Sequence, residues 1–143
     1  MNIFTGFIRR KEDCRKSLLP LQNKQIHSFL KMENKKNELI MLGTGNAAVT
    51  RCYNTCFALR TSQGTLLVDA GGGNGILIQL EKAGIAISDI HNLFVTHAHT
   101  DHILGVIWII RTIAQHMQQG KYEGIFRVYA HDKAIQVIDW ICR

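Results

Sequence analysis

Asn92-Leu93-Phe94-Val95-Thr96-His97-Ala98-His99-Thr100-Asp101-His102-Ile103 is the stretch on which the fold turns. Its first five residues read as a strand, Asn92 to Thr96, and from Ile103 to Gln119 apolar residues recur at helical spacing until Gly120 ends the pattern. Between strand and helix stand three histidines and a carboxylate. With 7 His in 143 residues, chance places such a cluster in roughly 7 of 10,000 chains of this composition. Coordination supplies a reason for it. His97 and His99, two apart on an extended segment, present both imidazoles on one side, and the turn into the helix carries Asp101 and His102 toward a neighbouring position. Neutral imidazole and carboxylate suit Zn²⁺, and also Mn²⁺ or Fe²⁺, and two ions a few ångströms apart fit such a donor set. In the blander reading Asp101 caps the long helix and the histidines make local hydrogen bonds, which accounts for Asp101 but not for three histidines beside it.

Outward from this stretch, short β-rich runs alternate with helical patterns. Glu38 to Leu42 reads as a strand ending in the Gly43-Thr44-Gly45 turn. Asn54 to Thr61 and Thr65 to Asp69 read as a hairpin around Ser62-Gln63-Gly64. After Gly71-Gly72-Gly73, the spacing over Ile76 to Ala83 is helical and stops at Gly84. Ile125 to Ala130 reads as a strand and Lys133 to Cys142 as a last helix. This alternation predicts an α/β architecture. The histidine cluster then lies at the carboxyl end of a strand, where open α/β sheets place their sites.

The 143 residues fit one modest domain, and 46% hydrophobic content excludes a disordered or collagen-like chain. Ile103 to Ile110, the longest apolar run, is closed by Arg111 and is far short of the roughly 20 residues of a membrane span. A cytoplasmic protein without a membrane partner is expected. The net charge of +6 belongs entirely to residues 1–36, which hold nine Lys and Arg against three acids. Residues 1–36 are read as a basic, poorly ordered leader and 37–143 as the domain, with Met32 as an expected natural start. A nucleic-acid arm in the leader is the more specific alternative, although charge with little aromatic interleaving more often marks a solvated segment. Cys52 and Cys56, about 13 Å apart on an extended segment, are read as ordinary buried or half-buried thiols.

On Leu42-Gly43-Thr44-Gly45, Leu67-Val68-Asp69-Ala70-Gly71 and Val95 through Gly105, the chain from Glu38 to Arg143 resembles the metallo-β-lactamase superfamily, and within it the ribonuclease Z-like metal-dependent hydrolases. The resemblance implies the first half of an αβ/βα sandwich, a mixed sheet with helices on one face. It implies that His97 and His99 bind a first metal and Asp101 and His102 a second, with two Zn²⁺ in a complete site. Asp69 would orient the metal loop from behind, and Asp101 would also orient or deprotonate the attacking water. Hydrolysis of a phosphodiester or ester follows, with a small molecule or RNA as substrate. Asn46 and Gly72-Gly73 depart from the ribonuclease Z pattern, so an arylsulfatase-like or lactonase-like relative stays open.

The family's remaining ligands come from a second half that has no matching positions here. His116 and His91 are too far from the cluster along helix and strand to replace them, and His131 reads as a surface or capping residue. The chain is therefore expected to be a fragment, to self-associate or to pair with a missing second half, because Leu39, Met41, Phe57, Leu66, Val68, Phe94 and Val95 include side chains that would otherwise meet water. An inactive remnant with weak metal binding is the alternative to an enzyme.

Overall fold

The structure, a computed structural model, describes residues 37–143; the reading of residues 1–36 as a leader or RNA arm lies outside them. Five strands form one mixed sheet in the order of the chain: β1 (Glu38–Gly43), β2 (Cys56–Thr61), β3 (Gly64–Val68), β4 (Ile90–Phe94) and β5 (Arg127–Tyr129). β1 to β3 pair antiparallel, and β3 to β5 pair parallel. The parallel strands are joined through helix α1 (Gly75–Lys82), which a 3₁₀ turn at Ile87–Asp89 follows, and through helix α2 (Thr100–Gln118); helix α3 (Asp132–Cys142) closes the order. The carboxyl ends of β1, β3, β4 and β5 consequently share one edge of the sheet.

Alternation of side chains along the strands decides what covers each face. Leu42, Cys56, Ala58, Leu67, Leu93 and Val128 join one buried cluster with residues of all three helices. α2 contributes Ile103, Val106, Ile110 and Ile113, a stripe at three- and four-residue spacing that faces the sheet. The helices therefore lie on one face, as expected. On the other face the register sets Leu39 beside Leu59, Met41 beside Phe57, Leu59 beside Leu66, and Phe57 beside Val68, which neighbours Phe94. Leu39 is 61% exposed, Met41 50% and Phe94 44%. Val95 and Val68, expected among these candidates for exposure, are buried.

Both α1 and α2 end in a Schellman arrangement. Gly84 (φ 63) and Ile85 donate to Glu81 O and Leu80 O, and Gly120 (φ 67) and Lys121 donate to Met117 O and His116 O. These are the glycines at which the helical patterns were expected to stop. Other bounds shift. β4 begins and ends two residues before the expected Asn92 to Thr96, and β5 is shorter than Ile125 to Ala130. Among the described residues no helix is long and apolar enough to cross a membrane.

Candidate metal centre

The cluster lies at the sheet edge beyond β4. Val95 is tied to β5 by its N–H to Tyr129 O at 2.8 Å, after which Thr96 to His99 leave the sheet and His99, extended at φ −73 and ψ 149, opens α2. Asp101 stands in the first turn of α2, not at the cap. The blander reading of it as a capping residue is thus corrected, although its charge still suits the positive end of the helix dipole.

Asp69 organises the cluster from below. It follows β3, is 4% exposed, and adopts φ 55. Its Oδ1 accepts the Thr96 N–H at 2.8 Å, and its Oδ2 accepts the Thr96 hydroxyl and His102 Nδ1, each at 2.7 Å. Thr96 Oγ1, having given its hydrogen to Asp69, accepts from His97 Nδ1 at 2.9 Å. One buried carboxylate therefore sets the tautomer of His102 directly and that of His97 through Thr96. In the neutral rings both Nε2 atoms then carry outward lone pairs, the arrangement that histidine ligands take when a carboxylate holds the other nitrogen.

The donors fall into two adjacent pairs. His97 Nε2 lies 3.1 Å from His99 Nδ1, and His102 Nε2 lies 3.4 Å from an Asp101 carboxylate oxygen. Two donors at zinc-ligand bond lengths and a tetrahedral angle stand about 3.3 Å apart, so each pair has the span of a chelating edge. The rings of His97 and His102 are 4.0 Å apart between centroids, which brings the pairs side by side. Among the described residues no point is reached by three or more His, Cys, Asp or Glu donors. Each pair offers two donors, and an ion held by either would need further ligands.

Several residues that hold this arrangement were not singled out as site residues from the sequence. Tyr53 lies against Gly71 and Gly75, and its hydroxyl bridges Ala70 O at 2.9 Å and Gly73 O at 2.7 Å; burial pushes its phenol up to about 12. Asn54 accepts from Gly72 N at 3.1 Å and donates to Asn46 O at 2.9 Å. Gly105 donates to Gly71 O at 2.8 Å, and a Cβ there would stand 1.7 Å from Ala70 O. Gly105 and Thr96 stood inside the quoted motif without a role assigned to them, whereas nothing in the spacing marked Tyr53 or Asn54. Burial, with the Asp69 charge adding to it, pushes the Cys56 thiol up to about 12. Cys52 is exposed and all three described cysteines are free, which corrects the expectation that Cys52 is buried or half-buried.

The other described histidines lie elsewhere. His91 falls inside β4, not ahead of it, and donates through Nδ1 to Tyr122, whose hydroxyl donates to Ile90 O. His116 is in the last turn of α2. His131 caps α3, accepting from Lys133 N at 3.3 Å.

The family model for the anti-Pycsar protein Apyc1 matches residues 37–138. Ribonuclease Z of Pyrococcus abyssi is 33% identical over 102 residues, 71% of this chain and 31% of its own. Ribonuclease Z of Thermobifida fusca is 42% identical over 80 residues, 54% of this chain and 24% of its own. The chain thus spans about a quarter to a third of the length of these curated relatives. Among solved structures, the metallo-β-lactamase fold protein YhfI from Bacillus subtilis aligns with a TM-score of 0.57 at 21% identity, covering 69% of this chain and 39% of that one. A diphosphatase of the PhnP family aligns with a TM-score of 0.56 at 21% identity, covering 72% and 44%.

Proposed function

The chain belongs to the family of the anti-Pycsar protein Apyc1 and to the ribonuclease Z-like, N-terminal portion of the metallo-β-lactamase superfamily of hydrolases, and from that premise we propose that it contributes half of a dinuclear metal centre that hydrolyses a phosphodiester or ester. The observation that carries this reading is the Asp69 network, which sets the rings of His97 and His102 so that each Nε2 stands beside a second donor at chelating distance. His97 and His99 would hold one cation and Asp101 and His102 the other, with Zn²⁺ first by donor chemistry and Mn²⁺ or Fe²⁺ able to replace it. When bound, the ions supply an activated water and a Lewis acid for the reacting phosphoryl or carbonyl oxygen. Asp69 keeps both ring orientations, and Asp101 adds a carboxylate that orients or deprotonates the water. A further segment or a second copy, packed on the open face of the sheet, would complete each donor set. RNA or a smaller phosphodiester or ester is the proposed substrate.

The test compares the 143-residue chain with His97→Ala/His99→Ala for zinc retained after dialysis and for turnover of bis(p-nitrophenyl) phosphate once the open face is covered. Loss of metal and of turnover in the double variant is expected. Unchanged metal uptake would overturn the reading. The two-donor limit of each pair favours one second reading, a remnant that binds metal weakly, and substoichiometric metal without turnover in the completed protein selects it.

A further inference from the structure

On the flank of the sheet, between the end of β1, the segment 44–53 and the outer side of α1, an open cleft of about 560 Å³ is lined by residues none of which is a candidate metal donor. Arg51 and Lys82 contribute two cations, Thr44 and Thr50 two hydroxyls and Gln79 an amide, and no acid is among the lining residues. Neither cation forms an ion pair with another described residue. An anion in the recess would meet two positive charges and no negative one. Arg and hydroxyl donors together match the oxygen atoms of a phosphate. The volume lies within the range of sites for small organic ligands, and Met41 and Leu42 add apolar wall beside the cations. Tyr53 lines the cleft and braces the loop after Asp69 from its other side, while Asn54 and the Asp101 backbone face each other across Gly72. Tyr53 therefore touches both the cleft and the loop that follows Asp69.

We propose that the Arg51–Lys82 cleft binds a phosphate-bearing nucleotide unit, and that it anchors a nucleotide substrate beside the metal centre. The anchoring role rests on the hydrolase reading; binding in the cleft does not. Cys52, exposed within the cleft, gives a local readout.

The full chain is treated with iodoacetamide in the presence of a ten-nucleotide single-stranded RNA, adenosine 5′-monophosphate or inorganic phosphate, and modification of Cys52 is followed by mass spectrometry. RNA affinity is measured in parallel as a function of salt for the wild type, Arg51→Ala, Lys82→Ala and the double variant. Expected are protection of Cys52 by RNA and by the mononucleotide, an affinity loss of about tenfold per charge removed, and a salt slope shallower by about 0.7 per lost contact. Arg51→Lys is expected to restore most of the slope. Protection by inorganic phosphate alone would overturn the nucleotide assignment. Unprotected Cys52 with unchanged RNA affinity in the double variant would overturn the site altogether. Neither result touches zinc retention by His97 and His99, so failure here and failure of the hydrolase reading are separately visible.

Discussion

Asp69 concentrates the chemistry of the site in one side chain. Its φ of 55 lies in the left-handed region, where most residues are strained and Asp and Asn are among the few that settle. That backbone turn aims the carboxylate back at Thr96 and His102, giving it three hydrogen bonds while nearly excluded from water. Asp69→Asn preserves size and backbone tolerance but removes the charge and replaces one acceptor oxygen with a donor. Zinc affinity is expected to fall about 10- to 100-fold, the usual cost of losing a carboxylate behind a histidine ligand, while the fold persists. Competition against a chromophoric chelator measures this, and wild-type affinity in Asp69→Asn would show that the carboxylate does not prepare the ring nitrogens. Thr96 extends the same control to His97, since without its hydroxyl that ring has no described link to Asp69.

At the scale of elements, the centre depends on how closely α2 approaches the loop after β3. Ala70 donates to His102 O, Gly105 donates to Gly71 O, and the Gly105 Cα passes where a methyl would collide with Ala70 O. These contacts fix where the first turn of α2 places Asp101 and His102. Gly105→Ala sets two effects against each other. Helix propensity favours alanine by about 1 kcal/mol, whereas the collision is with backbone and cannot be relieved by a side-chain rotation. Overpacking of this kind costs about 1–3 kcal/mol, so the helix must shift. A lowered melting temperature and weakened zinc binding are expected together; a raised melting temperature, the outcome of propensity alone, would mean that α2 does not approach the loop as described. Tyr53 braces the same loop from the opposite side, through the Ala70 and Gly73 carbonyls.

Among the described residues, the consequence is a sheet with one covered face. The helices bury Leu67, Leu93 and Ala58 completely, while Leu39, Met41, Leu59 and Phe94 stay exposed across three strands. A contiguous apolar patch of this kind is uncommon on a soluble monomer, and it borders the edge where each donor pair lacks further ligands. The 143-residue chain is expected to enhance the fluorescence of an apolar dye or to self-associate, and Leu39→Lys/Phe94→Lys is expected to reduce either effect. A monomer that leaves the dye dark would remove the proposal that further polypeptide packs there.

Much of the fold was legible along the chain because its signals are local. Alternating and helical periods located the five strands and three helices of the described residues, and Gly84 and Gly120 marked two helix ends at the residues where the backbone turns left-handed. The motif residues carried the superfamily resemblance, and the pairing of His97 with His99 was readable because two residues of extended chain already place two rings together. The strand ends were less legible, since Val95 and Thr96 have strand composition but lie past the last ladder pair of β4. The roles of Thr96, Tyr53, Asn54 and Gly105, and the recess shared by Arg51 and Lys82, came only from the tertiary structure. Sequence by itself determined the architecture and which histidines and carboxylate gather past the end of β4, both written in neighbours and periods. Tertiary structure decided which lone pairs face outward and which backbones touch, because hydrogen bonds such as that between His102 and Asp69 join residues 33 positions apart and leave no periodic trace.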